Sequence, residues 1–343
     1  MNDACVCDAT SCPTGCCSAG QCVSGTATTA CGAGGNACAA CTGSQTCSAG
    51  ACTGAAAASS GGVVLYGGYD TSGNPLGDTW SWSGTGWTQE SATGPSARGF
   101  AGITTLNGTA VLFGGCGAGL CNPLSDTWTW NGTAWTDANV TGPSASFGNA
   151  MATLNSTAVL FGGSGTGGST LGDAWTWNGS GWTEANTTGP ARYSHAMATL
   201  NSAVVLFGGY DANTKPLADT WTWNGATWTE ANVTGPSARD GHAMATLNGT
   251  VVLFGGTGAN SSVLGDTWIW NGTTWTEATV SGPSARYYHA MATLNGTVVL
   301  FGGCPTIDCS APLSDTWTWN GTGWTQIGVT GPSARDGHAM AAW

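Results

Sequence analysis

A pair of adjacent glycines returns six times along this chain of 343 residues: Gly67-Gly68, Gly114-Gly115, Gly162-Gly163, Gly208-Gly209, Gly255-Gly256 and Gly302-Gly303. The interval is 46–48 residues. A fixed period of that length marks a supersecondary unit that cannot bury its own apolar face and must stack on copies of itself. The repeat therefore constrains the fold strongly and the function weakly, since one scaffold hosts many activities.

Residues 239–278 serve as the type unit. RDGHAMATL reads as a first strand, and Asn248-Gly249 as a two-residue hairpin turn. TVVLFGG is a second strand, followed by a loop over 257–265. DTWIW is a third strand, Asn271-Gly272 a second turn of the same kind, and WTEA a fourth strand. Asn-Gly suits type I′ turns, whose central residues need positive φ and whose twist matches the strands. No helical period occurs, so each unit reads as a four-stranded antiparallel meander.

The side chains taper across the unit. The first strand carries small residues such as Ala243 and Ala245. Eighteen of the 19 tryptophans fall at three positions per repeat, as in Trp268, Trp270 and Trp275. Small residues fit where blades converge on an axis, and large ones fill the wedge outside. The first strand should therefore be innermost.

The apolar-Gly-Gly end of the second strand, the aromatic third strand, the spaced tryptophans and the Arg-x-x-His start of the first strand together resemble the kelch family of β-propellers. The resemblance covers residues 62–343. The Asp-Thr-Trp-x-Trp third strand departs from it, because many kelch repeats place a single aromatic and a tyrosine there. The expected fold is all-β: a six-bladed kelch-like propeller preceded by a small disulfide-rich domain. Closure is also readable. The first repeat opens at Gly62 without an inner strand, and the chain ends on RDGHAMAAW, an inner strand with nothing after it. Pairing the two completes one blade and removes the exposed edges.

Three segments follow: a disulfide-rich module over 1–53, a linker over 54–61, and the propeller over 62–343. Eleven of the 15 cysteines lie in the first: Cys5, Cys7, Cys12, Cys16, Cys17, Cys22, Cys31, Cys38, Cys41, Cys47 and Cys52. That stretch lacks the large apolar residues of a core, and such density reads as a disulfide scaffold from an oxidising compartment. Cys38-x-x-Cys41 has metal-ligand spacing, but no histidine accompanies it and the cysteines far exceed four. Eleven is odd, and Cys5 stands outside the denser pattern. The module resembles small Cys-rich modules of secreted and surface proteins from myxobacteria and related bacteria. The first residues carry no basic start and no apolar core of a secretory signal, which suggests a processed or partial N-terminus. Two more pairs, Cys116-Cys121 and Cys304-Cys309, occupy the loop after the second strand in two repeats and read as local disulfides.

The formal net charge is −12 and only 7% of residues are charged, which argues against nucleic acid as a partner. No apolar run approaches the length of a membrane span. All five arginines hold one repeat position: Arg98, Arg192, Arg239, Arg286 and Arg335. The remaining repeat has Ser146. Starting the innermost strand, they are expected to ring one mouth of the central channel, on the face that also carries the loops of variable length. In kelch relatives, arginines at this position often contact acidic partners, and a guanidinium fork matches carboxylate. The alternative is structural pairing with a repeat aspartate such as Asp266 or Asp315, or with a carbonyl of the next blade. His195, His242, His289 and His338 are periodic too, and read as structural histidines rather than a metal ring.

Nearly every polar side chain recurs in register, whereas a catalytic site usually breaks symmetry. The chain is therefore read as non-enzymatic, with no cofactor and no metal. The leading expectation is a secreted structural or adhesive surface protein that self-assembles head to tail through the Cys-rich module. A second is a module that binds an acidic peptide or glycan at the arginine-lined mouth, and a third is a metalloenzyme. Twelve Asn-x-Ser/Thr strings, including Asn131, Asn248 and Asn320, mostly coincide with the turns.

Overall fold

The computed structural model describes residues 61–119 and 121–343 and, before them, only the backbone of six short strands. The chain divides into two units, Met1–Gly61 and Gly62–Trp343. In the first, Gly15–Ser18 pairs with Gln21–Ser24, Thr26–Ala27 with Ala30–Cys31, and Thr46–Ser48 with Ala51–Thr53, all antiparallel. The pairing of Cys7, Cys12, Cys16, Cys17, Cys22, Cys31, Cys38, Cys41, Cys47 and Cys52, and the fate of Cys5, lie outside what is described.

The second unit is a six-bladed β-propeller. Blades are numbered here by the order of their Gly-Gly pairs. Blade 5 runs Ala243–Leu247, Thr250–Gly258, Val263–Trp270 and Trp275–Ala278, each strand antiparallel to the one before. Blade 1 is closed by the chain end. Ala339–Ala342 pairs with Val63–Tyr66, which continues into Thr79–Trp82 and Trp87–Glu90. No helix among the described residues is long and apolar enough to cross a membrane.

The second strand explains its own composition. Val251, Val252, Leu253 and Phe254 are all buried, because each blade has neighbours on both faces. A strand covered on both sides has no reason to alternate. Its two faces join different cores. Val251 and Leu253 pack with Ala196, Ala198 and Phe207 of blade 4, while Val252 and Phe254 pack with Met291, Val298 and Leu300 of blade 6.

The two hairpin turns differ, which corrects the expectation that both are type I′. Asn248 and Gly249 both take positive φ, 49° and 75°. At the outer turn Trp270 faces Trp275, leaving four residues between them. There only Gly272 has positive φ, and Asn271 Oδ1 instead accepts the backbone N–H groups of Thr273 and Thr274. Asparagine is used there for its side-chain acceptor, not its tolerance of positive φ.

Polar bonds staple the blades to each other. Trp275 Nε1 donates to Thr220 Oγ1 of blade 4 at 2.9 Å, and Trp87, Trp135, Trp182 and Trp324 repeat this bond. Blade 3 has Ala174 where the others have threonine, so Trp228 Nε1 is buried without a partner. On the inner strands, Thr293 Oγ1 donates to Thr246 O at 2.6 Å and Thr105 Oγ1 to Ala342 O at 2.7 Å. Thr153, Thr199 and Thr246 do the same to the blade before them. Installing the missing hydroxyl with Ala174→Thr should stabilise the propeller by about 1 kcal/mol, the net value of a hydrogen bond that satisfies a buried donor. A higher urea midpoint with an unchanged slope is the expected result.

Candidate binding face

The inner strands start at one end of the ring. There the five arginines are 0–1% exposed, so they do not line an open mouth. In blade 5, Arg239 Nε donates to Ser237 O at 3.0 Å. Nη1 donates to Gly255 O at 2.9 Å and to Asp266 Oδ1 at 2.7 Å. Nη2 donates to Asp266 Oδ2 at 2.7 Å and to Ser237 Oγ at 3.1 Å. All five N–H groups of the fork are thereby used. Arg98–Asp126, Arg192–Asp219, Arg286–Asp315 and Arg335–Asp78 form the same bidentate pair. The last crosses the ring closure. The expectation that Arg98, Arg192, Arg239, Arg286 and Arg335 bind an acidic ligand is corrected: each is buried and clamps its own blade, four of them with every N–H engaged and Arg192, which has Pro190 where the others have serine, with four of its five.

Burial alone would raise the Asp266 carboxyl. The hydrogen bonds and charge of Arg239, with the indole N–H of Trp268, outweigh it and hold the group below the usual carboxylate range. Blade 3 lacks the clamp. Ser146 stands in place of arginine, and its Oγ accepts Asn149 Nδ2 at 2.9 Å.

His195, His242, His289 and His338 are buried and pack edge-on against Phe161, Phe207, Phe254 and Phe301 of the preceding blade, with ring centroids 5.5–5.6 Å apart. Burial, and then the neighbouring arginine, pushes the His242 and His338 imidazoles down to about 3. They are neutral wedges between blades. The group among the described residues that brings three metal-ligating atoms together is Cys304, Cys309 and Asp336, and both of its sulfurs sit in a disulfide.

Two residues past each arginine position the chain turns into the left-handed region in all six blades. Phe100, Ser194 and Tyr288 have φ of 57°, 54° and 54°, and Gly148, Gly241 and Gly337 have 60–61°. Each N–H donates to the carbonyl of its counterpart in the preceding blade. Phe100 bonds Gly337 at 2.7 Å, Gly148 bonds Phe100 at 2.9 Å, and Ser194 bonds Gly148 at 2.7 Å. Gly241 bonds Ser194 at 3.0 Å, Tyr288 bonds Gly241 at 2.7 Å, and Gly337 bonds Tyr288 at 2.8 Å. The result is a closed backbone collar around the axis, above a cavity of about 140 Å³ bordered by the four histidines. Non-glycine residues are strained in this conformation, by roughly 1–2 kcal/mol each. Such strain concentrates where function overrides stability.

The rings of Phe100 and Tyr288 meet over the collar, 4.7 Å apart and near-perpendicular. Glycine is required beneath them. A Cβ on Gly337 would lie 2.7 Å from the Phe100 ring, and one on Gly241 2.8 Å from that of Tyr288. Tyr69 continues the aromatic run on one side, 5.5 Å from Phe100, and Tyr287 on the other, 4.6 Å from Tyr288. Tyr193 and Tyr210 pair through both backbone bonds nearby. Five of the chain's six tyrosines thus gather on this face.

Two aspartates stand among them. Asp240 is 2% exposed, and its Oδ1 has no partner. Burial raises its carboxyl to about 6, against the Tyr210 and Tyr288 hydroxyls that bond the charged form. Asp336 is 8% exposed, and burial raises it to about 6 as well. The surrounding loops are pinned. Cys116 is bonded to Cys121 and Cys304 to Cys309, with Cα separations of 4.9 and 5.0 Å. Tyr287 Oη donates to Ile307 O inside the second of these loops, where Ile307 itself is 53% exposed.

The family model described as the KLHDC2/KLHL20/DRC7 Kelch-repeats domain matches residues 148–343, more than half of the chain. No curated protein matches the chain.

Proposed function

The chain belongs to the Kelch-repeat family, and on that footing we propose that it is a non-catalytic module that holds a protein partner on its collar face. A Kelch propeller is a protein-binding scaffold. One observation carries the choice of face: the repeats agree in their cores and differ around the collar. Inner strands read AMATL in four blades and second strands end in Leu-Phe in five, yet the collar and the residue before it read Gly-Phe, Phe-Gly, Tyr-Ser, Asp-Gly, Tyr-Tyr and Asp-Gly. A scaffold requirement would keep these alike. Divergent residues on rigid strand ends, framed by pinned loops, are what a recognition surface needs.

The two loop disulfides favour an oxidising, extracellular setting for the protein. A structural or adhesive surface role fits that setting as a second reading. Assembly of copies head to tail would have to use groups other than the arginines, which are buried in their ion pairs, and the acidic-ligand reading is withdrawn for the same reason. Panning a random peptide library against the full chain tests the face. Enriched peptides should protect amides around 99–100, 193–194 and 287–288 from hydrogen exchange. Protection confined to the opposite end of the ring would refute the proposal.

A further inference from the structure

We propose that the collar face recognises a basic segment of its partner, seating a lysine or arginine side chain over the part-exposed ring of Tyr288, beside Tyr287 and between Asp240 and Asp336. The inference rests on the collar face being the binding face. It adds the sign of the partner, and that sign is opposite to the one the arginine positions suggest.

The placement comes first. Asp240 belongs to blade 5, Tyr287 and Tyr288 to blade 6, and Asp336 to blade 1, which are consecutive around the closed ring. Tyr287 feels the charge of both aspartates, and Tyr288 that of Asp240. Tyr287 is buried and Tyr288 part-exposed, so a cation meets the Tyr288 ring with Tyr287 and the carboxylates behind it and is attracted twice. The ring quadrupoles act directly, and the buried charges act through a medium that screens them poorly.

Among the described residues no lysine or arginine answers these carboxylates. The five arginines are held in their clamps, and Lys215 sits exposed in the loop it shares with Asp211. The groups facing Asp240 are the hydroxyls of Tyr193 and Tyr210 from blade 4 and of Tyr287 and Tyr288 from blade 6. Those facing Asp336 are Tyr69, Tyr287 and the disulfide sulfur of Cys309 at 3.3 Å. Neutral donors satisfy part of this demand, and Asp240 Oδ1 is left buried with none. A desolvated carboxylate oxygen without a partner is costly, and an incoming ammonium or guanidinium removes the cost. A hard metal ion fits less well, because the walls offer ring faces rather than six or more oxygens.

The probes are a Gly-Ser peptide carrying three lysines, its glutamate counterpart, and the lysine peptide acetylated on every side chain, titrated calorimetrically into the full chain. The lysine peptide should bind and the other two should not. Asp240→Asn with Asp336→Asn should weaken it about tenfold or more, as expected when a charge-assisted contact becomes neutral. Those changes remove 2 of 12 net negative charges, so diffuse attraction to an acidic protein would hardly respond. Affinity should also rise from about pH 5 to about pH 7.5, across the window in which carboxylates at about 6 ionise, and be flat in the double variant. Tyr288→Leu, which leaves both carboxylates in place, should lose affinity as well. Equal binding of the glutamate peptide, indifference to the double variant, or displacement by choline or calcium at concentrations where the lysine peptide fails would overturn the inference. Panned peptides that lack lysine and arginine but still protect the collar would leave the binding face standing and the basic partner refuted.

Discussion

Replacing Asp266 with asparagine should cost the propeller about 3 kcal/mol, the lower end of the range for breaking a buried pair from one side. The lower end applies because Asp266 keeps 24% of its side chain exposed, while its partner Arg239 is fully buried. The loss is asymmetric. An asparagine still accepts one N–H through its oxygen, but its amide nitrogen opposes the other arm of the fork. A cation with no exposed surface is then left without a counter-charge. Urea unfolding of the two proteins measures the difference. Blade 3 supplies the control, since Asp173 has Ser146 where its arginine would stand. Asp173→Asn removes no ion pair, and its bond from Trp175 Nε1 can be retained. It should cost less than about 1 kcal/mol. A similar loss at both positions would mean that the clamp contributes little. The pH dependence gives a second check. The folded Asp266 carboxyl is held below its unfolded value, so its contribution is full above the unfolded value of about 4 and disappears as pH falls through the folded one. Wild type and variant should converge in acid.

How much of this could be read from residues alone depends on whether the information was local. The blade, its taper and its closure were legible, because each follows from a period, a hydrophobic pattern or a half-blade at each end. The clamps were half legible. The aspartate lies 27–29 residues after its arginine in four blades, and the repeat aspartates Asp266 and Asp315 were readable as partners in the structural alternative. Periodicity shows that a side chain recurs but not which way it points, so the same arginines were equally readable as a ligand-binding ring. The outer turn was misread because Asn-Gly has two uses, and only the facing pair Trp270 and Trp275 shows which one applies. The acid–aromatic cluster was not legible as a site. Asp240, Tyr288 and Asp336 come from three blades, and nothing within one repeat shows that they meet. One signal was there to find. Tyrosine is scarce in this chain, and five of the six follow either a Gly-Gly pair or an arginine within two residues, which are the two positions that meet on the collar face.

Adding a single methyl group at Gly255 should destabilise the protein by about as much as breaking a clamp, roughly 3 kcal/mol from left-handed strain together with overpacking. Gly255 has φ +66°, and a Cβ there would lie 2.4 Å from the carbonyl oxygen of Arg286, with His289 Cε1 at 3.1 Å and Leu264 O at 3.3 Å. That carbonyl cannot retreat easily. It accepts the N–H of Gly256 at 2.9 Å, and it belongs to a residue whose guanidinium is fixed to Asp315. The carbonyl of Gly255 in turn accepts Arg239 Nη1, so any shift of this segment reaches the clamp of its own blade too. This is the physical reason for the repeated glycine pair. The second strand of one blade touches the inner-strand lead of the next, and only a residue without a side chain allows that approach at positive φ. Gly249→Ala separates the two contributions. Its φ is +75°, but nothing lies within 4 Å of the added carbon, so it should show the strain alone, about 1 kcal/mol. Chemical unfolding of both variants gives the clash by difference. Equal losses would show that blade contact does not select glycine at the pair, and the pair would then be explained by backbone conformation only.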